Sequence, residues 1–461
     1  MTRLQFAALT LAVAAPCAAQ DQVWIEQFGT EGGDFAAAAA PDFAGGAYFA
    51  GYTEGALGVS YFGSGDAWLE RRDADGSRIW IRQIGTFYQD MAWAVASDDA
   101  GNVFIAGETF GDLGAPKFGE FDVWMARFDD TGAQQWVRQI GSTAFDTAQA
   151  AASDGAGGVF IAGYTDGKLG GSSAGGRDAW IARYDGAGNS LWLNQLGTSS
   201  IEQARALASD SAGGVYVTGF TGGKLGSSSS GDIDAWLARY DAVGNQLWIR
   251  QFGTSGSDSA NFVAPDGAGG AYAGGHTSSI IGQVAWLARY DADGNRIWIR
   301  QFGSGRQDEA AAGAPDGAGG VFVLGTTEGD LGGPPAGGTD VWMTRFDDLG
   351  NQLWLDQFGS TASDYALAAA SDAAGGIMIG GQTQGDLAAP LSGSSDIWVA
   401  RYGDACYVDC DGNGELDFFD FLCFQNAFAT GDPYADCDDT GALDFFDFLC
   451  FQNAFAIGCP G

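Results

Sequence analysis

Trp24-Ile25-Glu26-Gln27-Phe28-Gly29 returns, with small changes, at Trp80, Trp136, Trp192, Trp248, Trp298 and Trp354. The intervals are 56, 56, 56, 56, 50 and 56 residues, so one segment occurs seven times with a single six-residue deletion. A fixed period of this length signals a repeat architecture, in which each unit buries its apolar surface against its neighbours.

Within a period the pattern is that of four short strands, clearest in the sixth copy. An Ala-rich run, 308–316, is followed by Gly319 to Thr327, by Asp340 to Asp347 and by Gln352 to Gly359, here called strands A, B, C and D. Apolar residues alternate within each run, and Gly, Asp and Asn bound them, as in antiparallel strands. C and D are joined by Asp-x-x-Gly-Asn, as in 241–245 and 291–295, and A and B by Asp-Gly-Ala-Gly-Gly at 154–158, 266–270 and 316–320. An Asp that accepts backbone hydrogen bonds and a Gly in the left-handed region make both into tight hairpins. Seven such units with no helical pattern between them predict an all-β, seven-bladed β-propeller of four-stranded antiparallel blades. Ala dominates strand A because seven strands converge on a crowded axis. Two tryptophans per blade, on C and on D, make up fourteen of the fifteen and are expected to pack between blades. Trp93 stands outside the scheme.

The last copy stops after its C strand at Arg401. Residues 22–29 are therefore expected to supply its missing D strand, closing the ring against 396–402.

The repeat Asp-x-x-Gly-Asn-x-x-Trp followed by Gln-Phe-Gly, and then Gly-Gly-Val-Tyr-Val-x-Gly-x-Thr, resembles the bacterial SBBP propeller repeat over residues 22–402. Ala238-x-x-Asp241-x-x-Gly244-Asn245-x-x-Trp248 is also similar to the tryptophan-docking motif of quinone-dependent dehydrogenases. Those have eight blades, so the likeness concerns packing.

The chain opens with Met1-Thr2-Arg3, an apolar run from Leu4 to Ala15, and Cys17-Ala18-Ala19. This reads as a secretory signal over 1–19, too short to span a bilayer, and implies a secreted or cell-surface protein with no membrane insertion. A lipoprotein signal at Cys17 is weakened by Pro16. The formal charge of -37, from 58 acidic residues against 21 Lys and Arg, opposes nucleic acid and anionic lipid as partners. The propeller is expected over 20–402 and a separate module over 403–461, because the six cysteines after Cys17 all lie there: Cys406, Cys410, Cys423, Cys437, Cys450 and Cys459. An even number in a small exported module suggests disulfides.

That module is a 27-residue duplication. Oxygen-bearing side chains at alternating positions around a central Gly are the pattern of a calcium loop. The first loop would use Asp409, Asp411, Asn413, Glu415, Asp417 and Asp420, and the second Asp436, Asp438, Thr440, Ala442 (through its backbone carbonyl), Asp444 and Asp447. Thr440 replaces Asn413, so the second of the two calcium sites is expected to be weaker. Each loop leads into Phe-Leu-Cys-Phe-Gln-Asn-Ala-Phe-Ala, read as a short helix. Two loop-helix units with this wording and a closing Gly458-Cys459 resemble a GC-type dockerin, which implies a cohesin-like protein receptor. Within that resemblance, symmetry favours Cys410 with Cys423, Cys437 with Cys450 and Cys406 with Cys459, one of fifteen connectivities that remain open.

One asymmetry stands out in the propeller. The B to C loop spans fifteen residues from Thr to Trp in six blades but nine from Thr277 to Trp286. The fifth blade therefore carries the whole deletion, has Val284 where the others have Asp, and holds the only histidine, His276. This is either a neutral loop deletion or the open wall of a ligand groove. Nearly every carboxylate recurs blade after blade, as in Asp34, Asp90, Asp146, Asp258, Asp308 and Asp364, whereas a catalytic acid would be singular. No nucleophile elbow, histidine pair or phosphate loop is present. The reading is an exported, non-catalytic binding and display propeller, with carbohydrate as a candidate ligand. The alternative is a polysaccharide-degrading hydrolase or lyase with its site on the propeller face.

Overall fold

The computed structural model describes residues 21–403, apart from 59, 172, 227–229, 280–281 and 373–374, together with 418–430, 435, 443 and 445–457. It divides into two compact units, 21–403 and the remainder.

The first unit is seven four-stranded antiparallel sheets. Blade 1 runs Asp34–Pro41, Ala47–Thr53, Asp66–Arg72 and Arg78–Ile84, and the next five follow in sequence order. Blade 7 takes Asp364–Ser371, Ile377–Thr383 and Asp396–Gly403 from the end of the unit and Asp21–Phe28 from its start. That closing strand pairs antiparallel from Asp21 opposite Gly403 to Phe28 opposite Ile397, with one register shift between Gln22 and Trp24. The expected closure holds, displaced by one residue.

Each tryptophan has a different partner blade. The C-strand indoles, Trp68 to Trp398, are buried, and at four of them, Trp68, Trp286, Trp342 and Trp398, the D-strand Phe of the preceding blade meets the ring edge-on, as Phe302 does Trp342 at 5.2 Å. The D-strand indoles reach the other way. Trp80 donates to the Asp130 carbonyl at 2.8 Å and Trp248 to the Ala292 carbonyl at 2.9 Å, each on the C–D turn of the next blade. The turn Gly lies flat on the same ring, with no room for a Cβ. Blade-to-blade adhesion is therefore written into two columns of the repeat.

Two hydrogen-bonded staples explain the recurring carboxylates. The Asp that opens strand A accepts from the D–A loop and from the B-strand Thr: Asp146 takes Ser142 N (2.5 Å), Ser142 Oγ (2.8 Å) and the Thr165 hydroxyl. The Asp that opens strand C accepts from a D-strand Gln, as Asp234 does from Gln251 at 2.8 Å, while that Gln also holds the B–C loop through Gly223 O and Leu225 N. Burial raises Asp90, Asp146 and Asp364 above the usual carboxylate range, against the pull of these donors.

In the second unit, helices α1 (Phe418–Thr430) and α2 (Phe445–Ile457) share a small core in which Phe424 stacks on Phe451 at 4.0 Å. Asp420 and Asp447, in their first turns, are fully buried.

Candidate functional site

Every strand A carries a β-bulge, with the register breaking around its fourth residue. The bulge drives the carbonyl of the second residue against the middle of strand B, where every blade has Gly. A Cβ on Gly163 would lie 2.0 Å from Thr147 O, and one on Gly325 1.8 Å from Glu309 O. The same carbonyl accepts the C-strand indole, as Met91 O does from Trp124 at 2.9 Å. The Gly and Trp of the repeat are thus parts of one device, and its product is an unpaired residue turned to the axis.

Those fourth residues are Ala37, Trp93, Gln149, Arg205, Asn261, Ala311 and Leu367, and all seven line a central cavity of about 160 Å³. The third and seventh residues of strand A are Ala in every blade, whereas at this fourth position no two adjacent blades agree. Trp93, which fits no repeat column of tryptophans, belongs here and stacks on Phe35 at 5.5 Å.

Two polar members, Arg205 of blade 4 and Asn261 of blade 5, form a cluster with Glu309 of blade 6, while Gln149 of blade 3 bonds Thr147. Asn261 is the hub. Its Oδ1 accepts from Arg205 Nη1 and Ser259 Oγ, both at 2.9 Å. Its Nδ2 donates to Glu309 Oε1 (2.8 Å) and Ala310 O (3.0 Å). His276, paired with Ser259 across strands A and B, places Nδ1 3.5 Å from Glu309 Oε1. The Arg205 guanidinium lies 4.9 Å over Phe220. Beside the cluster, Arg205, Phe220, Ser259 and His276 help to line a cavity of about 140 Å³.

Burial lowers Arg205 from its ordinary value, opposed by the Glu309 charge. Burial would raise Glu309, but the hydrogen bond and charge of His276, with Arg205 and Asn261, hold it below the usual range. A partly desolvated guanidinium beside an imidazole edge suits a ligand group that accepts hydrogen bonds.

His276 is therefore brought into a site, by its neighbours rather than by the shortened loop. Val284 pairs with Thr277 and does not line the cavity. Strands B and C of blade 5 continue to Ser279 opposite Gly282, and Gln301, left without the Asp and the loop, is exposed. The asymmetry of the propeller extends beyond this loop to the whole axial ring. A comparison of the repeats column by column would have found Arg205 and Asn261, because they stand where the repeat does not.

The calcium positions Asp409, Asp411, Asn413, Glu415, Asp417, Asp436, Asp438, Thr440, Ala442 and Asp444 lie outside the described residues. Among the described residues no group of three His, Cys, Asp or Glu side chains is placed to hold a metal. Cys423 and Cys450 are disulfide-bonded; Cys406, Cys410, Cys437 and Cys459 lie outside the described residues. No described helix is long and apolar enough to cross a membrane.

No protein-family model matches the chain. The regulatory protein FlaEY of Caulobacter vibrioides is 30% identical over 174 residues, which are 34% of this chain and 18% of that protein. The chain thus spans about a fifth of the curated relative it matches. Among solved structures, the Pan2 WD40 domain of Neurospora crassa is 11% identical, with a TM-score of 0.46 over 83% of this chain and 95% of that one. YCF48 bound to a D1 peptide is 14% identical, with a TM-score of 0.44 over 84% and 97%.

Proposed function

We propose that the protein is an exported binding and display propeller whose ligand meets the axial cluster, and whose tail is a calcium-dependent, dockerin-like anchor for a cohesin-like receptor on the cell surface. The observation that carries the binding reading is the axial ring. Strands A, B and C keep their packing residues through seven blades, while the axial fourth residue of strand A varies from blade to blade, as do the second residue of strand A and the sixth of strand B. Repeat scaffolds separate framework from recognition in this way. The recurring aspartates are occupied as staple acceptors, which leaves the axial polar group to meet a ligand.

The anchor reading rests on the duplicated acidic loops of the sequence. Asp420 and Asp447, the twelfth residues of those loops in the sequence, are buried in the first turns of α1 and α2. Clustered carboxylates repel one another until an ion neutralises them, so calcium would fold the tail.

Scanning calorimetry of the full chain tests the anchor: a transition that rises with calcium and falls on chelation supports it, and a thermogram indifferent to calcium overturns it. For the axial site, retention on a glycan and peptide array should be lost in Arg205→Ala and Asn261→Ala. Retention unchanged in both variants would place the ligand elsewhere.

A further inference from the structure

The chain has three lysines, Lys117, Lys168 and Lys224, and all lie in the B–C loops of three consecutive blades, 2, 3 and 4. The chain carries 58 carboxylate side chains, yet none of these lysines forms an ion pair among the described residues. In so acidic a molecule these three loops are locally balanced, Lys117, Lys168, Arg177 and Lys224 standing against Asp112, Glu120, Asp166 and Asp232.

The same sector is aromatic. Phe87, Tyr88, Phe110, Phe121, Phe145 and Tyr164 form an unbroken series of ring contacts, each 5.1 to 5.7 Å from the next, from the loop after blade 1 to strand B of blade 3. Phe87 is 79% exposed, and Tyr88 and Phe118 are half exposed. The repeat supplies its own control. At the position of Phe110 the other blades have Glu54, Asp166, Gly222, Ser278, Glu328 and Gln384, and they fold without an aromatic there. Packing does not require the ribbon, and an exposed apolar patch without a structural role marks a contact surface.

Charge and rings meet in two neighbouring pockets at equivalent places between blades. One, of about 380 Å³, is walled by Phe87, Tyr88 and Phe110 with Lys117, whose ammonium lies 3.1 Å from the Phe110 ring centre, and by Asp112, whose carboxylate accepts from the Lys117 backbone N–H at 2.8 Å. The other, of about 570 Å³, has Phe118 beside Lys168, Ser142 and Thr143. The carboxylate nearest to spoiling the second, Asp166, is paired with Arg177 at 2.9 Å.

We infer that this sector binds an extended anionic polysaccharide, a chain of uronic-acid sugars. A pyranose presents C–H bonds on its faces and hydroxyls at its rim, which matches flat rings bordered by Ser and Thr. Carboxylates recurring along the chain would meet Lys117 and Lys168 in successive pockets through charge-assisted hydrogen bonds. The overall negative charge is screened within about 8 Å at physiological ionic strength, so the local ammonium groups govern the contact.

The test uses the full chain in affinity electrophoresis and calorimetry with a galacturonate oligosaccharide, its methyl ester and polyglutamate. Wild type should hold the galacturonate about tenfold more tightly than the ester. Lys117→Gln with Lys168→Gln, and separately Phe87→Ala with Tyr88→Ala, should each lose about tenfold in affinity at an unchanged melting temperature. The inference is overturned by no binding, by equal binding of acid and ester, by polyglutamate binding as well as the sugar acid, or by full affinity in either variant. Arg205→Ala, which disables the axial site, should leave this binding intact, so the two readings fail separately.

Discussion

Glu26 of the closing strand is ion-paired with Arg72 of blade 1 across the ring seam. Arg72 is fully buried, bonds Glu70 at 2.5 Å and lies 5.1 Å over Phe28. Other blades have Phe or Tyr at the position of Arg72 and Ala or Thr at that of Glu70. The two ends of the propeller are therefore joined by an ion pair between exposed Glu26 and buried Arg72, and no other blade repeats the Glu70 and Arg72 pair behind it. Arg72→Ala, which leaves the buried Glu70 carboxylate with Arg78 alone at 2.6 Å, should cost about 2 kcal/mol in urea unfolding. The double variant Glu70→Ala with Arg72→Tyr, which copies the pair Ala238 and Tyr240, should recover most of that loss. A double variant no better than the single one would show that the seam needs the charges.

Trp24 donates to the Ala74 carbonyl at 2.9 Å although its strand belongs to blade 7. Removal of residues 21–28 should therefore raise hydrogen exchange in 377–403 above that in 34–53. The equivalent indole of blade 6, Trp354, has a buried Nε1 with no partner among the described residues, because the C and D strands of blade 7 are not joined by a turn. Trp354→Phe should thus cost less than Trp248→Phe, which loses a hydrogen bond worth about 1 kcal/mol.

Gly76 and Gly317 both have positive φ, +83° and +74°, but a Cβ on Gly76 would lie 2.7 Å from the Trp24 ring and one on Gly317 would meet nothing within 4 Å. Gly317→Ala should cost about 1 kcal/mol for the left-handed backbone alone. Gly76→Ala should cost about 3 kcal/mol, since the docked indole must also move. Equal melting temperatures for the two variants would refute the docking argument.

Gln251 is buried and ties Asp234 to the B–C loop, whereas Gln301 of blade 5 is exposed. Gln251→Ala should lose about 2 kcal/mol, and Gln301→Ala should stay within about 0.5 kcal/mol of wild type.

Burial raises the Glu108 carboxyl, against the pull of Thr147 and Trp93 beside it. The folded protein then holds this proton more tightly than the unfolded chain, so ionisation weakens the fold as pH rises above the unfolded value of about 4.3. Glu108→Gln should raise the melting temperature at neutral pH, and the gain should shrink as the solution is acidified toward pH 4. A gain that persists in acid would indicate a different cause.

The order of strands, the hairpin turns and the closing segment were legible in the sequence because each depends on chemistry local to one repeat. Asp and Gly make a turn wherever they stand in that order, and a missing D strand can be counted. The axial ring was not legible as a ring. Arg205 and Asn261 are a full repeat apart and look like polar interruptions of an Ala-rich strand. They become neighbours because the bulge turns each fourth residue inward and the ring brings blades 4 and 5 side by side. His276 was legible as singular, and its partner Glu309 was not.

By itself, the sequence determined the architecture of this protein, since a seven-fold repetition of one β unit has few ways to bury its surfaces. The tertiary structure alone decided which irregularities meet. Ring closure superposes residues that lie one period apart, so recognition surfaces such as the axial cluster and the aromatic and lysine sector are properties of the ring, assembled from single residues that carry no pattern within their own strands.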